Sequence, residues 1–167
     1  MATKTLITEA EYLRMTFDGR EPDYVGGELV ERGMPNYQHG RTQSVFSELM
    51  RPWRLERRLF NATELRVQTA PGHYRVADAV VYRDREPVEL IPTETPFIVL
   101  EIVSPDDTYA ELMTKLAEYE TMGVAHVWIA DPGLRTLRVF KNGNLLHVDA
   151  FDVPEFGLRF TASALFD

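Results

Sequence analysis

The sequence predicts a mixed α/β fold in which helices flank a central mixed β-sheet. Apolar runs at residues 97–103 and 124–131 are separated by a helical stripe of apolar residues at 108–122. A strand, a helix and a strand in this order predict a parallel pair with a right-handed crossover. A Gly-Gly pair at 26–27 and an Asn-Gly pair at 142–143 each lie between β-prone runs, which is typical of antiparallel hairpins.

Length and composition are those of one domain spanning residues 1–167, because 167 residues with 44% apolar content can form a core. The chain has no cysteine, which removes disulfides and thiolate chemistry. We see no signal peptide and no stretch near the ~20 apolar residues of a membrane span, so we expect a cytoplasmic protein without a membrane partner. The net charge of −8 argues against charge-driven nucleic-acid binding, but an acidic metal site remains compatible with it.

The N-terminal third is predicted to contain a short helix, a hairpin and a longer helix. Thr8 and Glu11 have the spacing of a capping box at a helix start. Residues 24–32 form the expected hairpin. The longer helix runs from about residue 36 to 58, and Pro52 is expected to kink or interrupt it because proline lacks the N–H and clashes with the preceding turn.

Further strands are predicted in the middle of the chain. Residues 63–69 and 74–82 are β-prone runs separated by a Pro-Gly turn, and the first alternates clearly between apolar and polar side chains. A loop rich in proline and glutamate leads to the apolar strand at 97–103. We expect residues 104–107 to cap the helix that follows, and the C-terminal tail to pack back on the body.

Two carboxylates interrupt the buried strands. Glu101 lies in the middle of its apolar run, where an unpaired charge costs on the order of several kcal/mol, and Asp78 lies at the centre of the preceding strand. If both face the same way they can share a divalent cation such as Mg²⁺, with the backbone carbonyl of Ile102 as a further candidate ligand. Lys115, on the next helix, would then polarise a water or hold a phosphate.

Several short motifs extend this pattern along the chain. They are the leader helix, Gly27-Glu28-Leu29-Val30, His39 at the start of the long helix, Ala77-Asp78, Glu101-Ile102-Val103-Ser104-Pro105, Lys115 with Tyr119, and the run from Gly123-Val124 through Trp128 to Asp131-Pro132. Their order and spacing resemble the PD-(D/E)XK nuclease superfamily and, within it, the Uma-type family of restriction endonucleases. The resemblance covers nearly the whole chain.

The resemblance implies a restriction-endonuclease-like core and a Mg²⁺-dependent endonuclease that hydrolyses DNA phosphodiester bonds, with Mn²⁺ able to substitute. Asp78 and Glu101 match the metal-binding acids of the superfamily. Lys115 matches a lysine that this family carries on the following helix, because Val103 occupies its usual position in the strand. Ala77 replaces a proline of the motif that carries no chemistry.

The resemblance and the sequence also suggest accessory residues. Glu28 matches an acid near the metal, Tyr119 accompanies Lys115, and His39 matches a position for which a structural role is equally open. Three arginines near the end of the long helix share one face and are candidate phosphate contacts, although a solvated face that offsets the helix dipole or a subunit contact also fits: Arg51, Arg54 and Arg58.

Two other functions remain open from the sequence. The acidic charge and the lack of an evident DNA-reading domain fit a non-catalytic nuclease-like module for binding or regulation, such as a homodimer. A metal-dependent phosphodiesterase acting on RNA or on nucleotides would use the same residues.

Overall fold

The computed structural model describes residues 6–167. Residues 1–5, the beginning of the expected domain and the place where a signal peptide would start, lie outside this range. The described helices are α1 (Glu9–Tyr12), α2 (Tyr37–Leu49), α3 (Arg51–Leu55), α4 (Tyr109–Thr121) and α5 (Ala162–Phe166), with a 3₁₀ turn at Pro154–Phe156. The strands are β1 (Asp23–Val25), β2 (Glu28–Val30), β3 (Leu59–Ala70), β4 (His73–Arg83), β5 (Ile98–Ile102), β6 (His126–Asp131), β7 (Thr136–Lys141), β8 (Asn144–Val148), β9 (Ala150–Val153) and β10 (Leu158–Thr161).

The predicted central mixed sheet is confirmed. Eight strands form it in the order β2-β1-β4-β5-β6-β7-β8, with β3 paired to β4. β5 and β6 are parallel and are joined by α4, as the strand–helix–strand pattern predicted, whereas their neighbours pair antiparallel. Both predicted hairpins form, and β9 and β10 make a separate two-stranded sheet.

β4 is the strand on which the site is built. β3 pairs with β4 along nearly all of its length, while β1 and β5 share the other side. β1 reaches Tyr74 and β5 reaches Ala79, so residues 75–78 have no strand partner there. Val76 uses its free N–H to bind the side chain of Asp23 at 2.8 Å. This gap in the sheet leaves room for a cleft.

The hydrophobic core lies on both faces of the sheet. Ala79 and Leu100 belong to the cluster covered by α2, α3 and the C-terminal elements. Val80 and Val99 belong to the cluster under α4. Because side chains alternate along a strand, the residues two positions before Val80 and two after Val99 also project toward α4. Those positions are Asp78 and Glu101.

Two expectations about helix ends need correction. Thr108, and not residues 104–107, caps α4, because its side chain accepts a hydrogen bond from the Glu111 N–H. The long helix is interrupted as predicted, but Pro52 lies in the first turn of a separate helix, α3, which begins at Arg51 and ends at Leu55. Arg58 therefore follows a residue with positive φ and does not continue the helical face that we expected.

The first helix and the C-terminal tail of the part of the chain that the structure describes lie where we expected them. Thr8 forms the capping box with Glu11, although the helix is only four residues long. The C-terminal tail packs back through Leu165 and Phe166, which are buried in the core. Within residues 6–167, no helix combines the length and apolar character required to cross a bilayer.

Candidate active site

Asp78 and Glu101 are neighbours across two antiparallel strands. The last paired residues of β4 and β5 are Ala79 and Leu100, and the two acids occupy the next position on each strand. Residues opposite one another in such a pair point to the same face. Both side chains are buried, with 2% and 5% of their surface exposed. The structure thus brings together the two acids that the sequence analysis singled out.

Glu101 has a cation and a hydroxyl as partners. Lys115 Nζ lies 2.9 Å from Glu101 Oε2 and also donates to the carbonyl of Val76 at 3.0 Å. Tyr119, one turn further along α4, donates its hydroxyl to Glu101 Oε1 at 2.8 Å. The buried carboxylate is therefore paired at both oxygens, as its position in an apolar strand required.

In the pair formed by Glu101 and Lys115, burial and the opposite charge of the partner shift each pKa in opposite directions. Burial raises the pKa of Glu101 to about 7, assisted by the negative charge of Asp78 and opposed by Lys115. Burial alone would lower the pKa of Lys115, but the Glu101 carboxylate outweighs it and holds that pKa above the ordinary value. Lys115 therefore remains an ammonium, and Glu101 is the group that takes up a proton near neutral pH.

Asp78 is surrounded by nitrogen donors. Its Oδ1 accepts from Nη2 of Arg20 at 2.8 Å and from Nη2 of Arg32 at 2.9 Å. Its Oδ2 accepts from the Ile102 N–H at 2.7 Å, and Nε2 of His39 lies 3.2 Å from the same oxygen without the alignment of a full hydrogen bond. Burial would raise the pKa of Asp78, but His39 and the charges of Lys115 and Arg32 lower it to about 2.

A third acid, Glu64, stands on the other side of Asp78. Thr63 pairs with Ala79 and Leu65 with Ala77, so Glu64 lies opposite Asp78 on β3. Its φ of 50° is left-handed, and the ladder is interrupted there. Nη1 of Arg32 donates to Glu64 Oε2 at 2.7 Å, and Nη2 of Arg20 lies 3.5 Å from Oε1.

Arg20, Arg32 and Glu64 are site residues that no pattern in the sequence indicates. Arg20 lies between α1 and β1, Arg32 follows β2, and neither belongs to a periodic pattern. Glu64 looked like a member of the solvent face of a strand. The sequence offered only a general indication of these residues. A buried acid needs a cation nearby, but this rule does not say where along the chain that cation lies.

The site lies on the wall of a cleft of about 690 Å³ that opens to solvent. Asp78, Glu101, Ile102 and Lys115 contribute to its wall, together with Arg20 and Arg32. Ser104 also lines the cleft, and its buried hydroxyl has no hydrogen-bond partner among residues 6–167. A substrate can therefore reach the two carboxylates, the lysine and the two guanidinium groups from one side.

The accessory candidates are placed differently. Tyr119 contacts Glu101 and His39 contacts Asp78, so both lie at the site. Glu28 is half-buried on β2 and is not among the residues that line the cleft. The three arginines of the predicted phosphate stripe, Arg51, Arg54 and Arg58, do not line the cleft either. The guanidinium group of Arg58 lies over the ring of Phe156, 4.8 Å from the ring centroid.

The side chains of the site provide only some of the ligands that a hard divalent cation requires. Two adjacent carboxylates at the wall of an open cleft are what Mg²⁺ binds in proteins. In residues 6–167, however, no three Asp, Glu or His side chains are grouped as a ready metal site. The oxygens of Asp78 and Glu101 are instead occupied by protein donors, so a cation has to displace at least one of them.

The sheet order and the paired acids beside a lysine define a restriction-endonuclease-like protein. The chain belongs to the Uma2 family, whose model, described as "Putative restriction endonuclease", matches residues 9–159. This confirms the resemblance found in the sequence.

A solved structure supports the fold. It is described as a "putative nuclease belonging to DUF820" from Anabaena variabilis, and it superimposes with a TM-score of 0.82 at 24% identity over 96% of this chain and 97% of that one. At this identity the similarity concerns the fold alone. No curated protein matches the sequence.

Proposed function

We propose that the protein is a Mg²⁺-dependent endonuclease that hydrolyses DNA phosphodiester bonds in the cleft beside β4 and β5. The observation that carries this proposal is the contact of Lys115 with Glu101, next to Asp78, on the wall of an accessible cleft. Family membership supports nuclease chemistry. Asp78 and Glu101 would hold the cation, with the carbonyl of Ile102 as a third ligand, and Mn²⁺ would substitute for Mg²⁺.

A bound cation would supply activation of a water molecule and neutralisation of charge on the phosphoryl oxygens. Lys115 is suited to hold the attacking water or the scissile phosphate, because its ammonium stays charged and faces the cleft. Tyr119 is a positioning residue, since it fixes the second oxygen of Glu101. Nε2 of His39 lies 3.2 Å from Oδ2 of Asp78 and limits the space around that oxygen.

Two sets of arginines differ in their access to the substrate. Arg20 and Arg32 line the cleft, and guanidinium groups bind phosphate oxygens with two parallel hydrogen bonds. We therefore assign phosphate binding to them in preference to Arg51, Arg54 and Arg58. We retain Glu28 as an accessory acid, acting from β2 at the neighbouring edge of the sheet.

A second candidate function is a non-catalytic nuclease-like module. The observation in its favour is that protein cations already neutralise both carboxylates, so the folded chain needs no metal for charge balance. Such a module would bind nucleic acid or a partner through the same cleft without cutting. Binding of divalent metal distinguishes the two functions.

Cleavage assays on the full chain test the proposal. Supercoiled DNA, single-stranded DNA and RNA are each incubated with Mg²⁺ or with excess EDTA, and products are resolved on gels. We expect DNA cleavage that needs Mg²⁺ and is lost in Glu101→Gln, while circular dichroism shows a retained fold. Arg159→Gln, which removes an exposed charge paired with Asp152 outside the cleft, is the matched control.

Other results would change the proposal. Cleavage by the wild-type protein in EDTA would contradict the metal requirement. Cleavage of RNA but not of DNA would point to the phosphodiesterase alternative. Absence of Mg²⁺ and Mn²⁺ binding at millimolar concentration in calorimetry, together with no cleavage, would favour the non-catalytic module.

A further inference from the structure

The Asp78 carboxylate is already occupied by protein groups. Its Oδ1 is shared by the guanidinium groups of Arg20 and Arg32, and its Oδ2 receives the Ile102 N–H and faces Nε2 of His39. An ionised carboxylate offers about four lone-pair positions. Three of them accept N–H donors and His39 stands at the fourth, so a metal ion can bind Asp78 only by displacing one of these groups.

The charges around Asp78 lead to the same conclusion. The acids Glu64, Asp78 and Glu101 are balanced by the cations Arg20, Arg32 and Lys115 through direct ion pairs. Adding a divalent ion without moving any of these groups would place its charge directly beside the two guanidinium groups and the ammonium. Unbalanced buried charge costs several kcal/mol in proteins. A cation that enters must therefore push one of the resident cations away from its acid.

The arginines are better placed to move than the lysine. All three side chains are largely buried and line the cleft, but Lys115 is fixed on α4 and is held by both Glu101 and the carbonyl of Val76. Arg20 and Arg32 come from segments outside helices and strands, where the backbone itself can move. Neither arginine would lose all its partners on leaving Asp78, because Arg32 also binds Glu64 at 2.7 Å and Arg20 also donates to the carbonyl of Gly33.

Glu64 is arranged to receive the displaced arginines. Its side chain is 40% exposed, so its carboxylate can follow a moving partner. Its backbone has a φ of 50°, a conformation that costs energy in a non-glycine residue and that proteins retain where the surroundings over-determine it. Gln43 donates to Glu64 Oε1 at 3.1 Å and to the carbonyl of Asp78 at 2.7 Å, which links the two positions.

We propose that Arg20 and Arg32 are resident counter-ions that a divalent cation displaces from Asp78, and that Glu64 retains them beside the cleft when this happens. Asp78 then alternates between two partners, the arginine pair and the metal. The arginines set how tightly the metal binds. This inference rests on the proposed metal-binding function and adds a competition to it.

Calorimetry with Mn²⁺ on the full chain, without nucleic acid, tests the competition. We expect Arg20→Gln and Arg32→Gln each to bind Mn²⁺ on the order of tenfold more tightly than wild type, equivalent to about 1.4 kcal/mol, because Asp78 loses a competing partner. Arg159→Gln removes the same charge elsewhere and should leave the Mn²⁺ affinity unchanged. Equal or weaker binding by both cleft variants would overturn the proposal.

Thermal unfolding provides a second measurement, because removing an arginine also weakens the fold. In EDTA, Arg32→Gln should melt below wild type, and Mn²⁺ should raise its Tm by more than it raises the wild-type Tm. Should the arginine variants fail to fold, Glu64→Gln is informative. It leaves the arginines with Asp78 as their acid, so Mn²⁺ binding should weaken, and unchanged or tighter binding would contradict the exchange.

The outcomes separate this inference from the proposed function. Tighter Mn²⁺ binding by the arginine variants without any DNA cleavage by wild type would support the exchange and refute the nuclease. Mg²⁺-dependent cleavage by wild type, with equal Mn²⁺ affinity in wild type and variants, would support the nuclease and refute the exchange. If wild type and both arginine variants bind no Mn²⁺, the exchange is overturned, whatever the cleavage assay shows.

Discussion

Lys115 Nζ lies 2.9 Å from Glu101 Oε2, although Glu101 belongs to β5 and Lys115 to α4. Val103, which follows β5, occupies the position at which the resemblance to the superfamily would place a lysine. The ammonium therefore approaches from α4, which crosses the sheet above β5. The charge required by a buried glutamate is supplied from the helix while the strand stays apolar.

Replacing Lys115 should reduce both catalysis and stability, because the buried Glu101 loses its cation. In Lys115→Met the aliphatic part of the side chain is preserved, but no ammonium remains to hold the water or the phosphate. We expect a loss of about 10²–10³-fold in the single-turnover cleavage rate, the size found when one electrostatic contact to a transition state is removed. Lys141→Met, an exposed lysine at the end of β7, is the control and should cut at the wild-type rate.

Tyr119→Phe tests whether the hydroxyl positions Glu101. The ring stays packed in the core cluster between α4 and the sheet, and only the hydrogen bond to Glu101 Oε1 is lost. The free energy of unfolding should fall by about 1 kcal/mol. Because the hydroxyl stabilises the ionised carboxylate, the acid limb of the pH–rate profile should also move to higher pH. A stability loss with an unmoved profile would indicate a purely structural role.

The two acids should give opposite pH dependence of stability in EDTA. The pKa of Asp78 is lowered from 3.8 to about 2, so its contribution is complete above pH 4 and is lost as the pH falls toward 2. The pKa of Glu101 is raised from 4.5 to about 7, so its contribution is complete below pH 4.5 and is lost as the pH rises through 7.

Urea unfolding at a series of pH values measures both effects. Asp78→Asn should flatten the acid limb of the stability curve relative to wild type, and Glu101→Gln should flatten the decline between pH 4.5 and 7. Parallel curves for wild type and both variants would show that neither carboxyl titrates as inferred.

Asp23 should be essential for the fold beside the cleft. Its oxygens accept from the Val76 N–H at 2.8 Å and from Nη1 of Arg75 at 3.1 Å, and Arg75 also pairs with Glu118. Asp23→Ala leaves a buried N–H and part of a buried guanidinium unpaired. We expect a loss of about 3 kcal/mol in the free energy of unfolding, measured with urea. Asp152→Ala, which breaks an exposed pair with Arg159, should cost less than about 1 kcal/mol.

The predictable parts of the molecule depend on neighbours in sequence. The hairpin turns, the interruption at Pro52 and the parallel pair around α4 follow from backbone preferences and from the spacing of apolar residues. The prediction that residues 104–107 cap α4 is wrong, because Asp107 and Thr108 are both good capping residues. In the structure the Asp107 side chain accepts a hydrogen bond from the Ser104 N–H, and Thr108 caps the helix.

The sequence by itself determined that Asp78 and Glu101 would be buried acids in need of cations, because hydrophobic patterning puts their strands in the core. The family resemblance pointed to Lys115. Only the tertiary structure decided that Arg20 and Arg32 converge with Glu64 on Asp78. An ion pair depends on the direction in which two distant segments meet, and no local spacing encodes that direction. The same convergence makes the arginines, and not the acids alone, the groups that we expect to control metal binding.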